Sequence, residues 1–162
     1  MELWDLYDID RNKLGLTHLR GIPLPKGRYH LVVHVWIQND KGQLILSKRH
    51  PDKHFGNLWE CTGGSVLQGE NSLEGALREV EEELGIKLSP DSGKLLHSEV
   101  KETHHLDYWF FISNVDIKDL ELQADEVIDA KWVDQETNEN MIRCHETTPA
   151  LKHFYDLISK YR

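Results

Sequence analysis

Two cysteines in 162 residues, Cys61 and Cys144, neither in a CxxC pair, exclude a zinc ribbon and a disulfide-stapled scaffold. No apolar run approaches the roughly 18 residues of a membrane span. The acidic start, Met1-Glu2-Leu3-Trp4-Asp5, lacks the basic and apolar regions of a secretory signal. Basic residues are also scarce: 19 against 28 acidic ones leave a net charge of −9, which disfavours a polynucleotide backbone or an anionic membrane as partner. The expectation is a cytoplasmic protein in a reducing compartment. A small anionic substrate is admitted where a bound cation or a local basic cluster reverses the field.

What is present is enough for one domain. A chain of this length buries roughly 70% of the surface its unfolded form exposes, so it needs no metal merely to fold, and any metal site is there for function. Residues 1–27 read as an N-terminal extension forming a hairpin, with the turn signals Asp10-Arg11-Asn12-Lys13 and Pro23-Leu24-Pro25-Lys26-Gly27 on either side of a short apolar-periodic stretch. His30-Leu31-Val32-Val33-His34-Val35-Trp36-Ile37, the turn Asn39-Asp40-Lys41-Gly42 and Gln43-Leu44-Ile45-Leu46-Ser47 form a β-hairpin pattern. A breaker-rich loop over 50–57 leads to one short strand, Leu58-Trp59-Glu60-Cys61, that ends at Gly63-Gly64. Further strands are expected at 94–102, 106–113 and 127–133, and a closing helix over 149–161. Several strands with one central and one terminal helix make a mixed sheet covered by helices, an α+β or α/β sandwich.

From Ser72 to Leu84 the apolar residues Leu73, Ala76, Leu77, Val80 and Leu84 recur at helical spacing. Asn71 with Glu74 makes a capping box, and Gly85 stands where a left-handed cap is wanted. With Leu73 at zero, Glu82, Glu79 and Glu83 fall at about 180°, 240° and 280° on the helical wheel. A solvated acidic face is the bland reading. Against it, these carboxylates occupy the last two turns, where the helix dipole is negative and Glu79 and Glu83 repel each other at i,i+4. Oxygen ligands gathered on one face are what Mg²⁺ or Mn²⁺ accepts, with room left for water and substrate phosphates.

Gly64, Glu70 and the run Arg78-Glu79-Val80-Glu81-Glu82-Glu83-Leu84-Gly85-Ile86 match at every specified position the Nudix box, Gly-x5-Glu-x7-Arg-Glu-U-x-Glu-Glu-x-Gly-U with U aliphatic. The region from about residue 28 to 162 therefore resembles a Nudix domain. The resemblance implies an α/β/α sandwich with a mixed β-sheet between helices. It also implies hydrolysis of a nucleoside diphosphate derivative, or a related small diphosphate, with Mg²⁺ or Mn²⁺. It assigns Glu79, Glu83 and Glu82 to the metal, with the Gly63 carbonyl completing the coordination and Glu82 as alternative water-orienting group. Glu70 and Arg78 would support the site by ionic pairing. Arg49, at the end of Lys48-Arg49, matches a phosphate-contacting cation, Trp59 lies beside the site, and Glu126 matches an additional base or metal carboxylate.

Tyr29-His30 and Thr103-His104-His105-Leu106-Asp107 resemble in part the isopentenyl-diphosphate isomerase branch, where a first-strand His and later acidic residues bind metal. That branch has Cys immediately before the first box Gly; here Gly63 stands there and Cys61 is two residues early. The reading is a Nudix pyrophosphohydrolase, with an isomerase-like enzyme and a non-catalytic nucleotide-binding module as alternatives. Its expected partners are a small diphosphate and, at most, a second copy of the chain; no polynucleotide and no membrane is expected.

Overall fold

The computed structural model describes residues 1–160. In chain order the strands are β1 (Leu3–Tyr7), β2 (Lys13–Leu19), β3 (His30–Gln38), β4 (Leu44–Arg49), β5 (Trp59–Glu60), β6 (Thr62–Ser65), β7 (Lys94–Val100), β8 (His104–Ile112) and β9 (Val127–Val133). The α-helices are α1 (Ser72–Leu84), α2 (Gln135–Arg143) and α3 (Phe154–Ser159).

β3 is the spine of a seven-stranded mixed sheet, and its apolar residues on both faces suit a strand covered on both sides. β8 runs parallel to it from His30↔His104 to Gln38↔Ile112, and β7 adds antiparallel to β8. On the other edge β4 touches β3 at the single pair Gln38↔Leu44 and then diverges toward β5 and β9. β6 takes the vacated edge, pairing His34 with Gly63 and Val33 with Gly64. The single strand expected over 58–61 is thus two strands that change partner at Cys61, because β3 and β4 have separated there. The wedge between them holds the glycine turn.

Helix α1 has the expected limits. Asn71 accepts from the Glu74 amide at 2.8 Å, Glu74 accepts from the Asn71 amide at 3.0 Å, and Gly85 adopts φ 70°. Its buried Ala76, Val80 and Leu84 pack with Leu31, Val33, Val35 and Ile37 of β3. The opposite face of the sheet carries Trp36, Leu46 and Tyr108 in a second core with Met141, Leu151, Phe154 and Ile158. This is the expected α/β/α arrangement. Helix α2 was not expected: Gln135-Glu136-Thr137-Asn138-Glu139-Asn140 has no apolar period, and burial falls on Asn138 and Met141 alone. Its local signal is Asp134, which caps the Thr137 amide at 2.7 Å. The closing helix is a 3₁₀ turn at Pro149–His153 followed by α3, and the last expected residue, Tyr161, lies outside the described residues.

Residues 3–19 form a separate two-stranded antiparallel sheet, β1 with β2. It is seated on the loop between β6 and α1, with the Gln68 amide donating to the Leu3 carbonyl at 2.8 Å and the Gly69 amide to Asp5 Oδ2 at 2.9 Å. Arg11, in a left-handed conformation with φ 68°, reaches from the β1–β2 turn to the fully buried Asp107 of β8 and donates to both its oxygens at 2.5 Å. Ser72, the first residue of α1, and Ser98 of β7 also donate to Asp107, and Trp109 Nε1 donates to Ser72 Oγ at 2.8 Å. One carboxylate therefore fixes hairpin, helix start and sheet together.

Candidate active site

The last two turns of α1 put Glu79 and Glu83 against the glycine turn. Both residues are under one-tenth exposed, while the Glu82 side chain is 48% exposed. A side chain at Gly63 would overlap the Val33 carbonyl, so that position requires glycine, and one at Gly64 would overlap the Glu79 carboxylate and push it aside. Burial pushes the Glu79 carboxyl up to about 7 against the pull of Arg78, with Glu82 adding to the rise. Burial, then repulsion from Glu79 and Glu60, pushes Glu83 up to about 8. Glu83 Oε2 is buried with no hydrogen-bond partner among the described residues.

Arg78 organises this face. It donates from Nε to Glu70 Oε2 at 2.7 Å, from Nη1 to Glu79 and Glu82 at 3.1 Å each, and from Nη2 to the Ser65 carbonyl at 3.0 Å. Glu70 in turn accepts from the Leu67 amide at 2.8 Å. The clamp ties the loop before α1 to the carboxylates on it. At the far end the Gln123 and Glu121 amides donate to the Glu83 and Leu84 carbonyls, which α1 leaves without partners of its own. That capping loop delivers Glu126.

Opposite α1 the loop after β4 is wound tightly, with Phe55 and Asn57 both in left-handed conformations. Arg49 gives Nη1 to both oxygens of Glu60, at 2.7 and 2.9 Å, and Nε to the His54 carbonyl at 2.7 Å. Lys53 is ion-paired with Glu126. Its ammonium is held below the usual range, mainly by burial and then by Arg49. These walls enclose a cavity of about 240 Å³, and its lining includes Arg49, Gly63, Glu79, Glu82, Glu83 and Glu126 from the sequence reading. Glu70 and Arg78 stand behind it as a pair. A smaller cavity of about 170 Å³ adjoins it past Val32 and the glycines, reaching His34, Cys61 and Thr148.

Other expectations are placed elsewhere. Trp59 lines neither cavity; its ring packs under Lys131 Nζ, 4.3 Å from the centroid, on the second core. His30 stacks on Trp4 at 3.9 Å, and His105 Nε2 lies 2.8 Å from the Asp8 carbonyl, so the histidine-rich region serves packing and the hairpin. Asp107, in the segment that suggested an isomerase-like metal site, is occupied by Arg11 and two serines. Cys61 is buried, and burial pushes its thiol up. Sequence reasoning missed Lys53, Gln123, Arg20 and Glu2 in the lining. Lys53 had a signal, a lone cation in a breaker-rich loop beside Lys48-Arg49; the others had none.

The NUDIX domain model matches residues 28–157. The chain belongs to the Nudix family. It is 43% identical over 151 residues to an uncharacterized Nudix hydrolase of Listeria monocytogenes, covering 92% of this chain and 89% of that one. Its fold is similar to a crystal structure from Deinococcus radiodurans, with a TM-score of 0.76 at 24% identity over 99% of this chain and all of that one. It is also similar to a MutT protein of Methanosarcina mazei, with a TM-score of 0.61 at 28% identity, covering 86% and 96% of the two chains. The protein is thus a Nudix pyrophosphohydrolase, and no helix among the described residues is long and apolar enough to cross a membrane.

Among the described residues no three His, Cys, Asp or Glu side chains converge into a finished coordination sphere, and Glu79 accepts from Arg78. The donor set nonetheless fits a hard divalent cation. Glu79 and Glu83 are buried, repel each other, and leave Glu83 Oε2 without a partner. In this Nudix enzyme Gly64→Ala should displace Glu79 and lower turnover about a hundredfold, as misplacing a reacting group by about 1 Å does. Steady-state rates beside an unchanged circular dichroism spectrum check this.

Proposed function

We propose that this enzyme uses Mg²⁺ or Mn²⁺ to cleave the diphosphate linkage of a nucleoside diphosphate derivative or a related small diphosphate, by attack of water at phosphorus. The observation that carries this reading is the pair of buried carboxylates Glu79 and Glu83, of which Glu83 Oε2 has no partner among the described residues, facing the cations Lys53 and Arg49 across one cavity. A divalent ion bound there neutralises the diphosphate, lowers the pKa of a bound water and stabilises charge on the leaving oxygen. Glu79 and Glu83 would hold it, with Glu82 and the Gly63 carbonyl beside them.

The rest falls to the chain itself. The Glu70–Arg78 clamp holds the carboxylates in register with the glycine turn, so their reorganisation on substrate binding is small. Glu82, half exposed into the cavity, is placed to orient the attacking water. Glu126, gripped by Lys53, supplies a further carboxylate, either as base or as ligand. Arg49, already paired with Glu60, offers positive charge to a phosphoryl group at the mouth of the second cavity, where the variable half of the substrate would lie.

A panel of nucleoside diphosphate sugars, dinucleoside polyphosphates, oxidised nucleotides and prenyl diphosphates tests the reading. With Mg²⁺ or Mn²⁺, phosphate or a nucleoside monophosphate should be released from at least one class, and chelation should stop it. Release that persists after chelation would overturn metal dependence. Burial of Cys61, which pushes its thiol up, supports a packing role over an isomerase's proton transfer, so Cys61→Ala should retain turnover with a modest loss of stability. Loss of all activity, with allylic isomer formed from isopentenyl diphosphate by the wild type, would reverse that assignment.

A further inference from the structure

The matched Nudix segment begins at residue 28, yet the cavity wall is completed by residues before it, Glu2 ahead of β1 and Arg20 after β2. The hairpin that carries them is fixed in place. Its Leu3 carbonyl and Asp5 carboxylate accept from Gln68 and Gly69 in the loop before α1, Trp4 stacks on His30 of β3, and Arg11 is paired with buried Asp107. The Arg20 amide donates to the Glu2 carbonyl at 3.0 Å, which holds the two ends of the hairpin side by side at the cavity.

Among the described residues three cations line this cavity, and their engagements differ. Arg49 is committed to Glu60 and the His54 carbonyl, and Lys53 to Glu126. Arg20 gives Nη1 to Glu2 Oε2 at 2.7 Å and leaves Nε and Nη2 without an acceptor among the described residues. Both partners are well exposed, 59% and 37%, so the pair is weak and readily exchanged. A guanidinium with two free donor groups matches the oxygens of a phosphoryl group in a fork that Lys cannot reproduce.

We propose that the N-terminal hairpin is part of the substrate site, and that Arg20 exchanges Glu2 for a phosphoryl group of the bound diphosphate. This rests on the reading of the cavity as a diphosphate site. Glu2 then competes with substrate for Arg20 in the empty enzyme, so the two residues have opposite effects: losing Arg20 weakens binding, and neutralising Glu2 strengthens it. A purely structural ion pair would move both variants in the same direction.

The test is calorimetric titration of the full chain with methylenediphosphonate, a diphosphate that cannot be hydrolysed, in the presence of Mg²⁺, together with KM and kcat on whichever panel substrate turns over. Arg20→Met should weaken binding and raise KM about tenfold or more, with kcat and melting temperature little changed. Arg20→Lys should recover part of the loss, Glu2→Gln should tighten binding, and Arg28→Met, on an exposed residue outside the cavity, should bind as wild type does. Wild-type affinity in Arg20→Met, equal weakening in Arg28→Met, or no binding by the wild type would overturn the proposal. Arg20-dependent binding without turnover of any panel substrate would overturn the hydrolytic reading and leave this one standing. Turnover with an unchanged KM in Arg20→Met would do the reverse.

Discussion

Glu83→Gln should cut metal-dependent turnover by about two orders of magnitude or more, since on the proposed reading Glu83 holds the activating cation and its loss removes ~3 kcal/mol of transition-state stabilisation. The same variant should be more stable than wild type without metal at neutral and alkaline pH. A carboxyl whose folded pKa is raised binds its proton more tightly folded than unfolded, so its favourable contribution is complete below the ordinary value of 4.5 and is lost as pH rises to about 8. The gap between variant and wild type should therefore be absent near pH 4, open through neutrality and reach its full size above pH 8. Added Mg²⁺ or Mn²⁺ should raise the wild-type melting temperature and close the gap, because a ligand that binds only the native state stabilises it by mass action. The triple variant Glu79→Gln, Glu82→Gln, Glu83→Gln should show little metal-induced shift. Equal turnover in Glu83→Gln and wild type, or a metal shift that survives the triple change, would remove these carboxylates from the metal site.

Asp107→Ala should be strongly destabilising. Asp107 is fully buried and accepts from Arg11, Ser72 and Ser98, so its removal leaves a half-buried guanidinium and two hydroxyls without their common acceptor. Breaking such a pair costs about 3 kcal/mol, the low end of the usual range because the Arg11 side chain is 34% exposed. Burial alone would raise the Asp107 carboxyl, but the hydrogen bonds from Arg11, Ser72 and Ser98 outweigh it and hold the group below its ordinary 3.8. For an acid lowered by folding, the stabilisation is complete above the ordinary value and is lost as pH falls through the folded one. Urea denaturation of wild type and variant should therefore differ most from neutrality down to about pH 4 and converge in stronger acid. The change should also loosen the first turn of α1, which Ser72 begins, and weaken the seating of the hairpin. A stability difference that does not shrink in acid would show that lost packing, and not the charge, sets the cost.

Helix α1 was legible to the residue, because every feature that defines it is local: apolar spacing, an Asn–Glu capping box, and Gly85 where only a left-handed residue ends the helix cleanly. The box carboxylates were legible for the same reason, since residues three and four apart on a helix share a face wherever that helix is placed. Strand β3 and the mixed sheet followed from β-branched and aromatic runs. Helix α2 escaped because Asn138 and Met141 alone are buried, and two residues make no period. The division of β5 from β6 escaped because it reflects the divergence of β4 from β3, a property of neighbours and not of residues 58–65 themselves.

The sequence by itself determined the family chemistry, an oxygen-donor helix behind a glycine turn, because short-range spacing and backbone preference suffice to write it. Only the tertiary structure decided which charges face those donors. It placed Glu126 and Lys53 on the cavity, left Trp59 outside it, and brought Glu2 and Arg20 in from a hairpin remote in the chain from the carboxylates. Those placements depend on strand order, on the buried Asp107 anchor and on loop closure. Each is a distance between segments remote in the chain, and no local periodicity records it.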